Sequence, residues 1–409
     1  PMEGLRKVYW RGDQITWRNL LRHYVACLQN RVFEALLIED SKPLNPSTIS
    51  VFFTLDKAPT PQARSLCEAS IAAVEAGELH AALLSLLVSA DRDVSFSELQ
   101  QHLRIVHTDW VQIVYDVFAE HELIPPQSGD RKRIDSAGLA QVLRRFESVM
   151  PQVREQVSDE GVETIHDVQQ VMGEQITLLA ALRHDETLQP KRESLFFKFT
   201  SEYLNSLLKL VYPPWYVACF SSRHDNAAMW SYYAGDHQGC CLVFKKQPTD
   251  SGHRLCLEGP NGYGTGGISR AEQNLSLDPV QYTTEEHQIE FFTNIGRLPL
   301  NTVLQNWFQD DDGITSPLAE HLNKEKLDTW RNAYWGKFAP PLLRKLSDWG
   351  HEEEFRILLS DSLGLYGTHE DRTFTYDYDT LEGIIFGINT SLSDKTRVLR
   401  IVNEKLGER

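Results

Sequence analysis

Trp17, Leu20, Leu21, Tyr24, Val25 and Leu28 lie three and four residues apart, the spacing of one helix face, and predict an amphipathic helix over residues 17–37. Lys7 to Trp10 before it is a short strand candidate that ends in Arg11 and Gly12. Thr48 to Leu55 reads as a second strand, closed by the turn formers APTPQ. From about Ala63 to Leu210 the helical period is nearly unbroken, in segments such as SLCEASIAAVEAGELHAALLSLLVSA, SFSELQQHLRIVHTDWVQIVYDVFAEHELI and SAGLAQVLRRFESVMPQV. The clusters PPQSGD and DETLQPK punctuate this block. SFSELQQHLRIV and the helix after it have the outline of a helix-turn-helix but few basic residues, so DNA reading is not expected there.

The period shortens after the helical block. Residues 215–244, WYVACFSSRHDNAAMWSYYAGDHQGCCLVF, read as strand, turn, helix, strand. Tyr216 to Phe220 has the β-branched and aromatic composition of a buried strand and ends in Ser221 and Ser222. Asp225 and Asn226 then cap a helix bearing Met229, Trp230, Tyr232 and Tyr233, an aromatic stripe expected in the core. Gly235 stops that helix, and Gly239 turns the chain into a second interior strand, Cys240 to Phe244. The polar set between these runs, including His224, Asp225, Tyr233 and His237, is what a core alone does not require.

Further on, GPNGYGTGG (259–267) reads as a flexible surface loop that lacks the strand-to-helix setting of a phosphate-binding loop. Val280 to Tyr282 is a strand candidate, Ile289 to Ile295 and Val303 to Phe308 look helical, and QDDDG (309–313) is a solvated acidic turn. Leu343 to Trp349 reads as a helix end and Phe355 to Leu359 as a buried strand. In an extended approach to that strand, Glu352 and Glu354 share one face and Glu353 points to the other. Asp379 to Gly387 and Arg397 to Val402 are two last strand candidates.

Composition narrows the function classes. At 409 residues, the chain has room for a main domain and a sizeable insertion. A formal charge of −16 argues against a broad, sequence-independent grip on nucleic acid. The six cysteines lie mostly in apolar runs without the spacing of a zinc site, so they are expected reduced, with no metal. Neither a spanning apolar run nor a signal-peptide pattern is apparent, which gives a cytoplasmic expectation with no membrane partner. The expected fold class is α+β: a split mixed β-sheet core from residues 2–62 and 211–409, interrupted by a large all-helical insertion over 63–210.

Three ordered blocks carry a family resemblance: CFSSRHDNAAMWSYYAGDHQGCCLVF, KLSDWGHEEEFRILL and LEGIIFGINTSLSDKTRVLRIV. They resemble the bacterial family called domain of unknown function 2971, whose pattern runs CFS, MW, Y, H, G, then K, W, E, E, R, then a strand ending in IIFG. The order of elements is also similar to ADP-ribosyltransferases of the arginine, serine, glutamate type. Those enzymes carry an aromatic-Arg-Gly at the end of a first strand, a serine-bearing strand end, and a Glu-x-Glu leading into an apolar strand.

The resemblance places those roles on Arg11 with Gly12, on Ser221 and Ser222, and on Glu352 with Glu354; Ser-Ser stands where the toxin pattern has Ser-Thr-Ser. It implies an NAD-dependent mono-ADP-ribosyltransferase, a bacterial toxin or anti-phage defence effector with a nucleic acid or protein acceptor and a possible neutralising antitoxin. NAD would be its substrate. Glu354 would stabilise the oxocarbenium-like cation and Glu352 would orient or deprotonate the nucleophile. Arg11 would hold the pyrophosphate, the serines would position the glutamate or ribose, and Tyr233, Tyr232 or Trp230 would stack on nicotinamide, with His237 and His224 secondary. Other readings are an NAD glycohydrolase, a metal-dependent hydrolase built on Glu352, Glu354, Asp225 and His224, and a non-enzymatic partner-binding scaffold.

Overall fold

The computed structural model describes residues 6–39, 42–89, 92–125, 135–153, 190–249 and 252–407, with 156, 157, 161, 164 and 168. The chain is a mixed α+β protein that gathers into two compact units. One unit is Lys7–Tyr212 with Gln288–Tyr334; the other is Pro1–Arg6, Pro213–His287 and Trp335–Arg409.

The first unit is mainly helical. Its central helix α1 (Gln14–Leu37) starts at a reciprocal cap: Asp13 Oδ1 accepts from the Thr16 amide at 2.9 Å, and Thr16 Oγ1 accepts from the Asp13 amide at 2.9 Å. Such a cap contributes about 1 kcal/mol. All six residues of the predicted stripe are buried. Helices α2 (Pro61–Glu75), α3 (Glu78–Ser89) and α4 (Phe96–Glu120) pack around α1. Strand β1 (Arg6–Trp10) lies between β2 (Val94–Ser95) and β9 (His287–Glu290) in a three-stranded sheet. No single helix among the described residues is long and apolar enough to cross a membrane.

Several expectations change here. Residues 48–55 are not a strand: single helical turns at Pro46–Thr48 and Leu55–Lys57 flank a bend. Ile49 and Val51 are buried, but the amides of Val51 and Phe53 bond to Ile49 and Ser50 within the segment, so no ladder forms. Ile289 begins in β9 rather than a helix. The Glu290 carboxylate then accepts from the amides of Phe292 at 3.1 Å and Thr293 at 2.6 Å, setting a single turn at Phe292–Asn294. Val303 to Phe308 is helical as expected, across Leu300–Val303 and Leu304–Phe308. In the acidic turn, Asp311 is ion-paired with Arg22 at 2.6 Å. PPQSGD and DETLQPK lie largely outside the described residues.

The second unit carries the remaining strands: β3 (Trp215–Ser221), β4 (Cys240–Phe244), β5 (Gln247–Thr249), β6 (Gly252–Gly264), β7 (Gly267–Pro279), β8 (Gln281–Thr283), β10 (Arg344–Leu346), β11 (Glu354–Ser360) and β12 (Leu381–Phe386). Five form an antiparallel sheet in the order β3-β11-β7-β6-β5, β12 pairs with β4, and β10 runs parallel to β8. The expected glycine-rich loop is the end of the long β6–β7 hairpin. Gly259 within it lies under the Phe374 ring, where a β-carbon would come within 2.0 Å of Cε1.

The remaining differences have local causes. Arg397 to Val402 lies in the helix Leu392–Gly407, opened by Ser391, whose hydroxyl accepts from the Asp394 amide at 3.0 Å. Residues 343–349 form a turn, β10 and a second turn instead of a helix end. The strands β3 and β4, expected in the interior, are half-buried to exposed. Among the described residues, four separate sheets replace the one split sheet, because β1 bonds to β2 and β9. The grouping also differs from the expected partition: residues 7–62 join the helical unit, as do 288–334 from the C-terminal part.

The helical core holds a polar network with one consistent proton arrangement. His107 Nε2 donates to the Leu195 carbonyl at 2.7 Å, leaving Nδ1 to accept from the Tyr24 hydroxyl at 2.8 Å. His23 Nε2 likewise donates to the Val51 carbonyl at 3.0 Å, and its Nδ1 accepts from Tyr203 at 2.9 Å. Burial pushes both imidazoles down from 6.5 to about 4. Above 6.5 they are neutral whether the chain is folded or not. Between 6.5 and 4 the unfolded chain takes up protons that the folded one refuses, so stability falls by roughly 3 kcal/mol per histidine over that window. Hydrogen exchange of the α1 and α4 amides should accelerate as pH falls through this range after correction for intrinsic rates. The variant His107→Gln should lose about half of that pH dependence.

Candidate active site

The site grows from the pairing of β11 with β3. Their register sets Glu354 opposite Ser221, Phe355 opposite Phe220 and Arg356 opposite Cys219. Before β11 the chain makes a tight helical turn, Ser347–Glu352, and then Glu353 adopts φ 44° and ψ 51°. A non-glycine residue in this left-handed region costs about 1 kcal/mol. The expected extended run 352–354 is therefore absent, yet both flanking glutamates are directed inward.

The two serines hold this turn in place. Ser221 Oγ donates to the Glu352 carbonyl at 2.8 Å. The Ser222 amide donates to the Glu353 carbonyl at 3.2 Å, and Ser222 Oγ donates to Glu353 Oε2 at 2.8 Å. Arg223 Nη1 adds a 3.4 Å bond to the outward Glu353 carboxylate. Of the roles expected for the serines, positioning the glutamates is the one these bonds fit.

Glu352 and Glu354 are 2 % and 5 % exposed. Isolated carboxylates are not stable at such burial, and both are paired. Lys345 Nζ donates to Glu352 Oε2 and, at 3.2 Å, to Glu354 Oε2. Arg356 grips Glu354 with two parallel bonds, Nε to Oε1 at 2.8 Å and Nη2 to Oε2 at 3.1 Å, while Nη1 donates to the Leu342 carbonyl at 2.5 Å. Tyr233 donates its hydroxyl to Glu352 Oε1 at 3.1 Å, and the Tyr282 oxygen accepts from the Glu354 amide at 2.8 Å.

Burial by itself would raise the Glu354 carboxyl, but the Arg356 fork, the Cys219 thiol and the Lys345 charge outweigh it and hold the carboxyl below its ordinary value. Lys345 is raised: burial would lower it, and the bonds and charges of the two glutamates overcome that. The Tyr233 phenol is raised by burial and by the Glu352 charge.

Aromatic residues border this cluster. Tyr232 and Tyr233, on the helix Ala227–Tyr233, are 70 % and 66 % exposed, so these two residues of the stripe expected in the core face outward. The Lys345 ammonium sits 4.9 Å from the centre of the Trp349 ring, and Trp349 lies 6.3 Å from Tyr232. Trp230 is half-buried; its indole donates to the His224 carbonyl at 2.7 Å and stacks on the His237 ring at 6.3 Å. Asn226 caps this helix as expected and donates its amide to the His351 carbonyl at 2.6 Å. At the far end the Asn389 amide donates to the His237 carbonyl at 3.0 Å, and Gly387 passes so close that a β-carbon would fall 2.0 Å from that oxygen.

The structure thus brings Ser221, Ser222, Glu352, Glu354 and Tyr233 together. Arg11 and Gly12 belong to the helical unit. There the Arg11 amide donates to Glu290 at 3.2 Å, and Gly12 is required by packing, since a β-carbon would meet Thr16, Phe292 and Trp17 within 2.9 Å. Asp225 is bound to Arg223 at 2.9 Å, and no group of three or more His, Cys, Asp or Glu among the described residues is placed to hold a metal ion. Sequence reasoning missed Lys345, Arg356 and Tyr282. The first two stand in the K, W, E, E, R order already noted; nothing in the local sequence marks Tyr282.

Because Arg356 and Glu354 neutralise each other in a buried setting, removing one partner strands the other charge. Arg356→Met should cost about 3–5 kcal/mol in denaturant unfolding, while the double change Arg356→Met with Glu354→Leu should recover much of it.

No curated protein and no solved structure matches the chain. Residues 229–357 match the family described as Protein of unknown function (DUF2971), a span that contains Tyr233, Tyr282, Lys345, Glu352, Glu354 and Arg356 and supports the family resemblance over the carboxylate cluster.

Proposed function

We propose that the sheet unit cleaves NAD and transfers ADP-ribose to a nucleic acid or protein acceptor, as a bacterial toxin or anti-phage effector would. The observation that carries the reading is the register of β3 on β11, which puts a serine strand end beside the paired glutamates. In this reaction the bond from C1′ of the ribose to the nicotinamide nitrogen breaks, and the nitrogen keeps the electron pair. Positive charge develops on the ribose, and the acceptor bonds to C1′ and gives up a proton. A carboxylate fixed beside that centre stabilises the charge.

We infer a division of roles that differs from the sequence expectation, and the hydrogen bonds support it. Both Glu354 oxygens are engaged by Arg356, and one also by Lys345. Glu352 Oε1 is bound by the hydroxyl of an exposed tyrosine, a partner that a ribose hydroxyl can replace. Glu352 is therefore assigned to the developing cation and Glu354 to the support of the cluster. The exposed rings of Tyr232 and Tyr233 provide a face for nicotinamide.

Purified protein should release nicotinamide from NAD when RNA, DNA or cell lysate is added in turn. Glu352→Gln should lower the rate by about 100-fold or more. Release without any acceptor would identify the glycohydrolase variant, with water in the acceptor's place. Absence of release in every condition, together with no NAD-dependent gain in thermal stability, would overturn the reading in favour of a non-enzymatic scaffold.

A further inference from the structure

We propose that Lys345 is the positioning residue of this site: its ammonium, lodged between Glu352 and Glu354, keeps the carboxylate pair ionised and fixed at one point. For catalysis this rests on the NAD-cleaving reading; the charge relation itself does not.

Arg356 directs Nε and Nη2 to Glu354 and Nη1 to the Leu342 carbonyl, not to Glu352. Arg223, the next cation along the turn, is directed to the outward Glu353 and Asp225. Among the described residues, Glu352 is ion-paired with Lys345 alone. Every element around the pair contributes a group of known kind. β11 gives Glu354 and Arg356, β10 gives Lys345, β8 gives the Tyr282 phenol, β3 the Cys219 thiol, and the aromatic helix the Tyr233 phenol. Trp349 lies against the ammonium, and His351, beyond it, stacks on that ring.

With the ammonium removed, two buried carboxylates face one guanidinium. Like charges in such a site retain a proton between them. A protonated pair neither stabilises a cation nor accepts a proton from a nucleophile. The lysine does not touch the reacting atoms in this account; it acts through the glutamates.

The test compares the full chain with Lys345→Met and Lys345→Arg. Side-chain carboxyl signals of glutamate labelled with carbon-13 are followed against pH, and the pH profile of nicotinamide release is recorded beside them. In Lys345→Met the titration of the pair and the acid limb of the rate should both move up by about one pH unit or more, and Lys345→Arg should restore them toward wild type. Coincident wild-type and Lys345→Met titrations would overturn the proposal. The carboxyl arm needs no NAD, so a chain that cleaves none still decides the role of Lys345.

If Lys345→Met is too unstable at neutral pH, its thermal stability is followed as pH falls from about 7 to about 5. A raised carboxyl in the folded variant makes it gain on wild type over that range. A deficit that stays constant, or a variant unfolded at both ends, would overturn the proposal.

Discussion

The sheet unit is organised around four charges that cancel, the buried Glu352 and Glu354 against the partly buried Lys345 and the buried Arg356. Each ion taken from water costs several kcal/mol, and only close, hydrogen-bonded pairing offsets that cost. The pairing in turn demands that β10, β11 and the turn before β11 hold fixed positions. Tyr282 on β8 ties in a further strand by accepting from the Glu354 amide, and β8 is registered beside β10 with Tyr282 opposite Lys345. Charge neutrality at one point thus constrains three strands and a turn.

What the sequence made legible follows from the range of the forces involved. α1, β1, β3, the aromatic helix and β11 are set by neighbours within a turn or a strand, and their periodicity and caps were readable. Residues 397–402 show the limit: a run of apolar and basic residues fits a strand by composition, but Ser391, several positions away, starts a helix through them. The Gly259–Gly267 segment misleads for a different reason. Gly259 is tolerated in a strand because Phe374, distant in sequence, covers it and supplies the missing bulk.

The site was half legible on the same grounds. Glu352 and Glu354 were found through an assumption of extended backbone that Glu353 does not obey. Their convergence survives because a left-handed residue between them turns the middle side chain outward. Lys345 and Arg356 are partners of those glutamates in space, and only the ordered K, W, E, E, R pattern hinted at them. Arg11 was placed by a three-residue pattern, and it lies in the helical unit, whose core includes Trp10, Trp17, Tyr24 and Phe292.

The short helix Ala227–Tyr233 is fastened at both ends, by Asn226 on the His351 carbonyl and by Asn389 on the carbonyl of His237, where Gly387 admits no side chain. A seven-residue helix has little stability of its own. Here its backbone entropy is already lost on folding. A flat ligand laid on Tyr232 or Tyr233 orders only ring torsions, so nearly all of the contact free energy remains available for recognition. Widening Gly387 would act on that surface from behind: it would loosen the mount and weaken stacking while leaving both rings and the buried charges chemically unchanged.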